Sequence, residues 1–102
     1  MDIEKIREKI RLGHYEISKH AEIERRKDGL EIKDIKTSIF KGKIIESYPD
    51  DSRNPCCLIS GFDENGIPIH SLCALLRNGG IRICTVYIPD NNKWINYQIR
   101  KR

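Results

Sequence analysis

Residues 43–92 decide the fold. They read KIIESY (43–48), PDDSRNP (49–55), CCLISGF (56–62), DENG (63–66), IPIHSLCALL (67–76), RNGG (77–80), IRICTVYI (81–88) and PDNN (89–92), so that four apolar runs rich in β-formers are each followed by a cluster of turn residues. Runs of this length with such short connections predict a four-stranded antiparallel meander. Alternation assigns the faces of the last two strands. It puts Ile67, Ile69, Ser71, Cys73 and Leu75 opposite Pro68, His70, Leu72 and Ala74. It likewise puts Ile81, Ile83, Thr85 and Tyr87 opposite Arg82, Cys84, Val86 and Ile88. His70 is then a candidate ladder neighbour of Tyr87, although the register itself is not written in the alternation.

Upstream of residue 43 the period changes. Ile3, Ile6 and Ile10 recur at helical spacing and predict a helix over 2–12 that ends near Gly13. After a short extended piece at His14–Ile17, Ser18 is placed to cap a second helix through KHAEIERRKD, stopped by Asp28-Gly29. Ile32, Ile35, Ile39 and Phe40 mark a third helix, ended by Gly42. Helices grouped ahead of strands, with no βαβ alternation, predict an α+β domain with helices packed on one face of a four-stranded antiparallel sheet.

The chain has 102 residues, 38% of them hydrophobic and 33% charged, which suits a single domain over 1–102 and is too short for two. No run approaches the roughly 18 apolar residues of a membrane span, and MDIEKIREKI lacks the apolar centre of a secretory signal. A cytoplasmic protein with no membrane partner is expected. The four cysteines, Cys56, Cys57, Cys73 and Cys84, form no CxxC pair and sit in apolar runs, so they are expected to pack as reduced, small hydrophobes, with no metal or other cofactor. The net charge of +4 resides in residues 91–102, where Lys93, Arg100, Lys101 and Arg102 face no acidic residue. Such a basic tail either contacts RNA phosphates or is simply solvated.

Histidine is the side chain best suited to proton transfer near neutral pH, and His20 and His70 are the two that look placed. With Tyr48, Tyr87, Arg82 and Glu46 as neighbours they meet the needs of a metal-free ribonuclease. Those needs are a base for the ribose 2′-OH, an acid for the leaving 5′-oxygen and a cation for the phosphate. His20 and His70 are expected to share acid and base duties, with Arg82 or the tail holding phosphate and Tyr87 orienting or protonating. Glu24, one helical turn from His20, is placed to orient it, and Glu46 and Tyr48 are assigned the same supporting role. The structural alternative has both histidines donating to a backbone carbonyl, or to each other across the helix–sheet interface. Trp94 either stacks on a base or seals the end of the core.

Three blocks, His20-Ala21…Glu24…Asp28-Gly29-Leu30, Gly42 to Asp51 and Pro55 to Gly61, are followed by Gly66-Ile67-Pro68-Ile69-His70, Thr85-Val86-Tyr87-Ile88-Pro89 and Trp94. Together these resemble the domain-of-unknown-function 4258 family over a core of residues 14–96. The helix at 1–13 and the basic tail at 97–102 lie outside the resemblance. Cys56 stands where family members often carry Ser. The resemblance implies a RelE-like, barnase–EndoU–colicin superfold and the toxin of a type II toxin–antitoxin pair. Its activity would be that of a metal-independent endoribonuclease, an mRNA interferase acting through a 2′,3′-cyclic phosphate. Its partners would be RNA, including ribosome-bound mRNA, and a small zinc-finger antitoxin. The alternative from another class is a non-catalytic protein- or RNA-binding module that docks through a sheet edge or the first helix.

Overall fold

The computed structural model describes residues 1–49 and 54–102. Most of the turn expected at 49–55 therefore lies outside the described residues, including Asp50 and Asp51 of the family-like pattern.

The three helices form where spacing and caps predict them. Helix α1 spans Ile3–Arg11 and buries Ile6 and Ile10, its first turn held by the Asp2 carboxylate, which accepts the Glu4 N–H at 2.9 Å. The chain leaves α1 through Gly13, whose φ of +76° suits a residue without a side chain. Strand β1, Tyr15–Ile17, leads directly into α2, Lys19–Lys27. Ser18 serves both: its Oγ accepts the Ala21 N–H at 3.0 Å and donates to the Cys84 carbonyl at 2.9 Å, fixing the start of α2 to the sheet. Helix α3, Ile32–Lys41, turns Ile35 and Ile39 inward. Arg7 of α1 donates to the carbonyls of Ile39 at 3.2 Å and Gly42 at 2.7 Å, satisfying the end of α3 from a neighbouring element.

Strands β2 (Lys43–Tyr48), β3 (Cys56–Phe62), β4 (Pro68–Leu75) and β5 (Ile81–Tyr87) form the expected antiparallel meander. The sheet itself is larger and mixed, with five strands in the order β1-β5-β4-β3-β2. β1 joins β5 in parallel through Tyr15↔Ile81 and Ile17↔Ile83, which corrects the expectation of four antiparallel strands. Three residues carry too little alternation to announce a strand, yet they cover the side of β5 that faces away from β4 and would otherwise be an open edge. A second, two-stranded sheet lies where a basic tail was expected: β6 (Trp94–Ile95) pairs with β7 (Ile99–Arg100).

Strict alternation also misassigns β5. The β4–β5 register runs His70↔Tyr87 and Leu72↔Thr85, then shifts to Cys73↔Ile83 and Leu75↔Ile81, leaving Cys84 as an extra residue. This bulge turns Ile81 and Ile83 toward the helices and Thr85 and Tyr87 to the opposite face, so the four do not share a side. The core under α1 and α3 then comprises Ile6, Ile10, Ile35 and Ile39 against Cys57, Ile59, Ile69, Cys73, Ile81, Ile83 and Val86. Each such isoleucine contributes roughly 1.5–3 kcal/mol by leaving water. Cys57 and Cys73 serve here as packing groups. Burial pushes the Cys57 thiol up to about 11 and raises Cys73 well above the ordinary thiol range, so neither is a thiolate near neutral pH.

Gly42 and Gly61 set the distance between α3 and β3. A Cβ on Gly61 would lie 1.9 Å from the Ser38 carbonyl oxygen, and one on Gly42 would lie 2.5 Å from the carbonyls of Ser38 and Ser60. Gly42 thus ends α3 with extended backbone, φ −92°, and is small because the backbones of α3 and β3 meet there. Gly61→Ala is expected to destabilise the protein by about 3 kcal/mol or more, the upper end of overpacking, because the obstacle is backbone. Urea unfolding measures this, and a cost below about 1 kcal/mol would contradict the packing described.

Candidate active site

The face of the sheet turned away from α1 and α3 carries most of the polar residues singled out in the sequence. Glu46 and Tyr48 lie opposite Leu58 and Cys56, Ser60 lies opposite His70, and His70 lies opposite Tyr87. A groove of about 650 Å³ runs over Leu58 and Leu72, walled by Tyr48, Tyr87 and Arg100. A second hollow of about 320 Å³ shares Cys56 and Leu72 with it and reaches His20 and Arg82. The two form adjoining concavities across one sheet face.

His70, between Tyr87 and the C-terminal hairpin, has 0% exposure, so both of its ring nitrogens need partners within the protein. Nε2 is 2.6 Å from the backbone carbonyl of Tyr97, and Nδ1 is 3.1 Å from the Tyr87 hydroxyl. A carbonyl only accepts, so Nε2 carries the hydrogen. In the neutral ring Nδ1 is then an acceptor, and the Tyr87 O–H donates to it. Burial lowers the His70 pKa below the ordinary histidine value, with the hydrogen bond to Tyr97 and the charge of Glu46 opposing it in part. Burial raises that of Tyr87, which stays a phenol. The Trp94 ring meets His70 edge-on at 4.5 Å and is itself buried, so Trp94 seals the site.

The C-terminal hairpin closes one end of the groove. Arg100 donates to both carboxylate oxygens of Glu46 at 2.8 and 3.1 Å and lies over the Trp94 ring at 4.6 Å. Tyr48 also donates to Glu46. Burial works to raise the Glu46 pKa, but hydrogen bonds from Arg100 and Tyr48 outweigh it and hold the carboxylate below its usual range. Burial and the neighbouring carboxylate raise the pKa of Tyr48. Glu46 and Tyr48 thus support Arg100 directly. Lys93, Lys101 and Arg102 are exposed, the Lys101 N–H bonding the Lys93 carbonyl at 2.9 Å.

His20 sits at the start of α2 with its side chain 68% exposed, and its Nε2 is 3.2 Å from Glu24 Oε1. The same oxygen accepts the Val86 N–H at 3.1 Å. β1 ends at Ile17, so beyond Ile83 the edge of β5 has no strand beside it, and Glu24 provides the acceptor that a strand would have supplied. Glu24 thereby ties His20 to the residue next to Tyr87. His20 lines the second hollow, whereas His70 is buried and lines neither; among the described residues no hydrogen bond joins them. Arg82 lines the second hollow and pairs with Glu16 across β1 and β5 at 2.9 Å. Sequence reading missed Ser60, whose Oγ donates to the Tyr97 carbonyl at 2.9 Å, and missed that carbonyl itself. A backbone acceptor has no residue-type signal. Ser60 could have been noticed only as a hydroxyl on the open side of β3.

Among the described residues, no group of three His, Cys, Asp or Glu side chains is placed to hold a metal ion, and no helix is long and apolar enough to cross a membrane. Because His70 holds its proton less readily folded than unfolded, stability is full above about pH 6.5 and declines as pH falls from there toward the lowered folded value. His70→Gln is expected to show a smaller loss between pH 7.5 and 5.5 in urea unfolding. An equal loss in both proteins would contradict the assignment of a buried, neutral ring.

The family model described as a domain of unknown function, DUF4258, matches residues 17–88. No curated protein and no solved structure gives a match to the chain. The matched span contains His20, Glu24, Glu46, Tyr48, His70, Arg82 and Tyr87, while α1 and the C-terminal hairpin fall outside it. The chain therefore belongs to the DUF4258 family.

Proposed function

We propose that this protein is a metal-independent endoribonuclease of RelE-like fold, the toxin of a type II toxin–antitoxin pair that cuts mRNA in the cytoplasm, free or on the ribosome, and is neutralised by a small zinc-finger antitoxin. The observation that supports the activity is the Tyr87 hydroxyl. It lines an open groove beside Arg100 while donating its hydrogen to a buried His70. A phenol so engaged has lone pairs left to accept a proton from a substrate hydroxyl.

The proton inventory of RNA cleavage fits these groups. The ribose 2′-OH gives its proton to Tyr87 Oη as the Tyr87 proton passes to His70 Nδ1. The 2′-oxygen bonds to phosphorus, and the P–O5′ bond breaks. His20, in its protonated form and aligned by Glu24, returns a proton to the departing 5′-oxygen. Arg100 holds the charge that gathers on the phosphoryl oxygens, and Arg82 a neighbouring phosphate. His70 acts through Tyr87 because burial keeps it from the substrate. The products are a 2′,3′-cyclic phosphate and a 5′-hydroxyl. Unpaired RNA is the substrate class, since its nucleotides can splay onto an open sheet.

Purified protein incubated with single-stranded RNA, and separately with mRNA on translating ribosomes, is expected to yield those two ends in at least one setting. A single 2′-deoxy nucleotide at the cut site is expected to block cleavage, and Tyr87→Phe to slow it about 10²–10⁴-fold. RNA bound in a salt-dependent way but uncut in both settings would instead support the non-catalytic module.

A further inference from the structure

We infer that the C-terminal hairpin, residues 93–102, is a positioning element of the site: the Tyr97 carbonyl selects the His70 tautomer that makes Tyr87 a proton acceptor. This rests on the ribonuclease reading and gives the tail a role other than charge.

Three observations carry the inference. The first is the contact: at 2.6 Å from Nε2, the carbonyl admits only the tautomer with hydrogen on that nitrogen. The second is the care with which the carbonyl is held. Ser60 Oγ supplies a second donor at 2.9 Å, the Tyr97 ring meets Phe62 edge-on at 6.0 Å, and Arg100 ties β7 to Glu46 on β2. The third is backbone conformation. Asn96 and Tyr97 have φ of +51° and +60°, a region that residues with side chains seldom occupy. Two-residue strands stabilise a hairpin little by themselves, so contacts with the main sheet hold this turn in shape.

The chemical consequence follows from tautomerism. Without the carbonyl, the hydrogen can sit on Nδ1 and point at Tyr87. Tyr87 would then accept from His70 and turn its own hydrogen toward the groove. A phenol in that state donates to the substrate and has no acceptor behind it to take its proton, so the path from the 2′-OH to His70 is broken.

The test uses the full chain with a long-range ¹H–¹⁵N correlation spectrum of the histidine rings above their titration, together with RNA cleavage rates. Wild type is expected to show the Nε2–H form at His70. Asn96→Gly, which suits positive φ, keeps both tautomer and rate within a few-fold. Asn96→Pro, whose φ is confined near −65°, is expected to lose the single tautomer and slow cleavage at least about 10²-fold. Nδ1–H at His70 in wild type would overturn the inference even if Asn96→Pro fails to fold. A folded Asn96→Pro that retains both tautomer and rate would also overturn it. If the Nε2–H form is present and responds to Asn96→Pro while wild type cuts no RNA, the positioning stands and the ribonuclease reading falls.

Discussion

A histidine removed from water must satisfy two ring nitrogens that differ in what they accept, and the arrangement of this protein depends on how that is done at His70. One nitrogen meets a carbonyl from the C-terminal hairpin, and the other meets a tyrosine from the neighbouring strand. The first contact fixes the hydrogen on Nε2, and the second gives Tyr87 its direction. Burial disfavours the charged ring, which keeps Nδ1 available as an acceptor. Strand, tail and groove are thus joined through one imidazole, and a change at any of the three is felt at the tyrosine.

The bulge at Cys84 is what allows one strand to serve both core and site. Before it, Ile81 and Ile83 pack under the helices; after it, Thr85 and Tyr87 face the groove while Val86 stays in the core. Without the extra residue, alternation would place Tyr87 on the same face as Ile83, beneath the helices. The edge of β5 beyond Ile83 passes from β1 to α2, where Glu24 accepts the Val86 N–H and so brings His20 to the rim of the second hollow. Backbone hydrogen bonding and site geometry are here one arrangement.

Much of this was legible in the sequence because it is local. The Ile3, Ile6 and Ile10 spacing, the Ser18 cap, the turn clusters and the Glu24–His20 pair each depend on residues a few positions apart. The parallel strand β1 was not legible, since Tyr15–Ile17 is too short to alternate, nor was the bulge, which exists only relative to β4. The C-terminal hairpin gave no signal because its positive-φ positions are filled by Asn96 and Tyr97 where glycine would be looked for. Reading Arg100 as part of a free basic tail missed its pairing with Glu46, which only the folded chain brings near. His70 and Tyr87 were legible as chemistry-bearing neighbours, but the carbonyl that orients them is backbone and carries no residue identity.

The proposal that Tyr87 takes the 2′-hydroxyl proton in RNA cleavage is tested most directly by mapping RNA 5′ ends in cells shortly after induction of wild type or Tyr87→Phe, which detects cutting on and off the ribosome alike. New 5′-hydroxyl ends are expected in wild type and are expected to be absent or strongly reduced in Tyr87→Phe. No new ends from a folded, well-expressed wild type, or equal ends from both proteins, would contradict it.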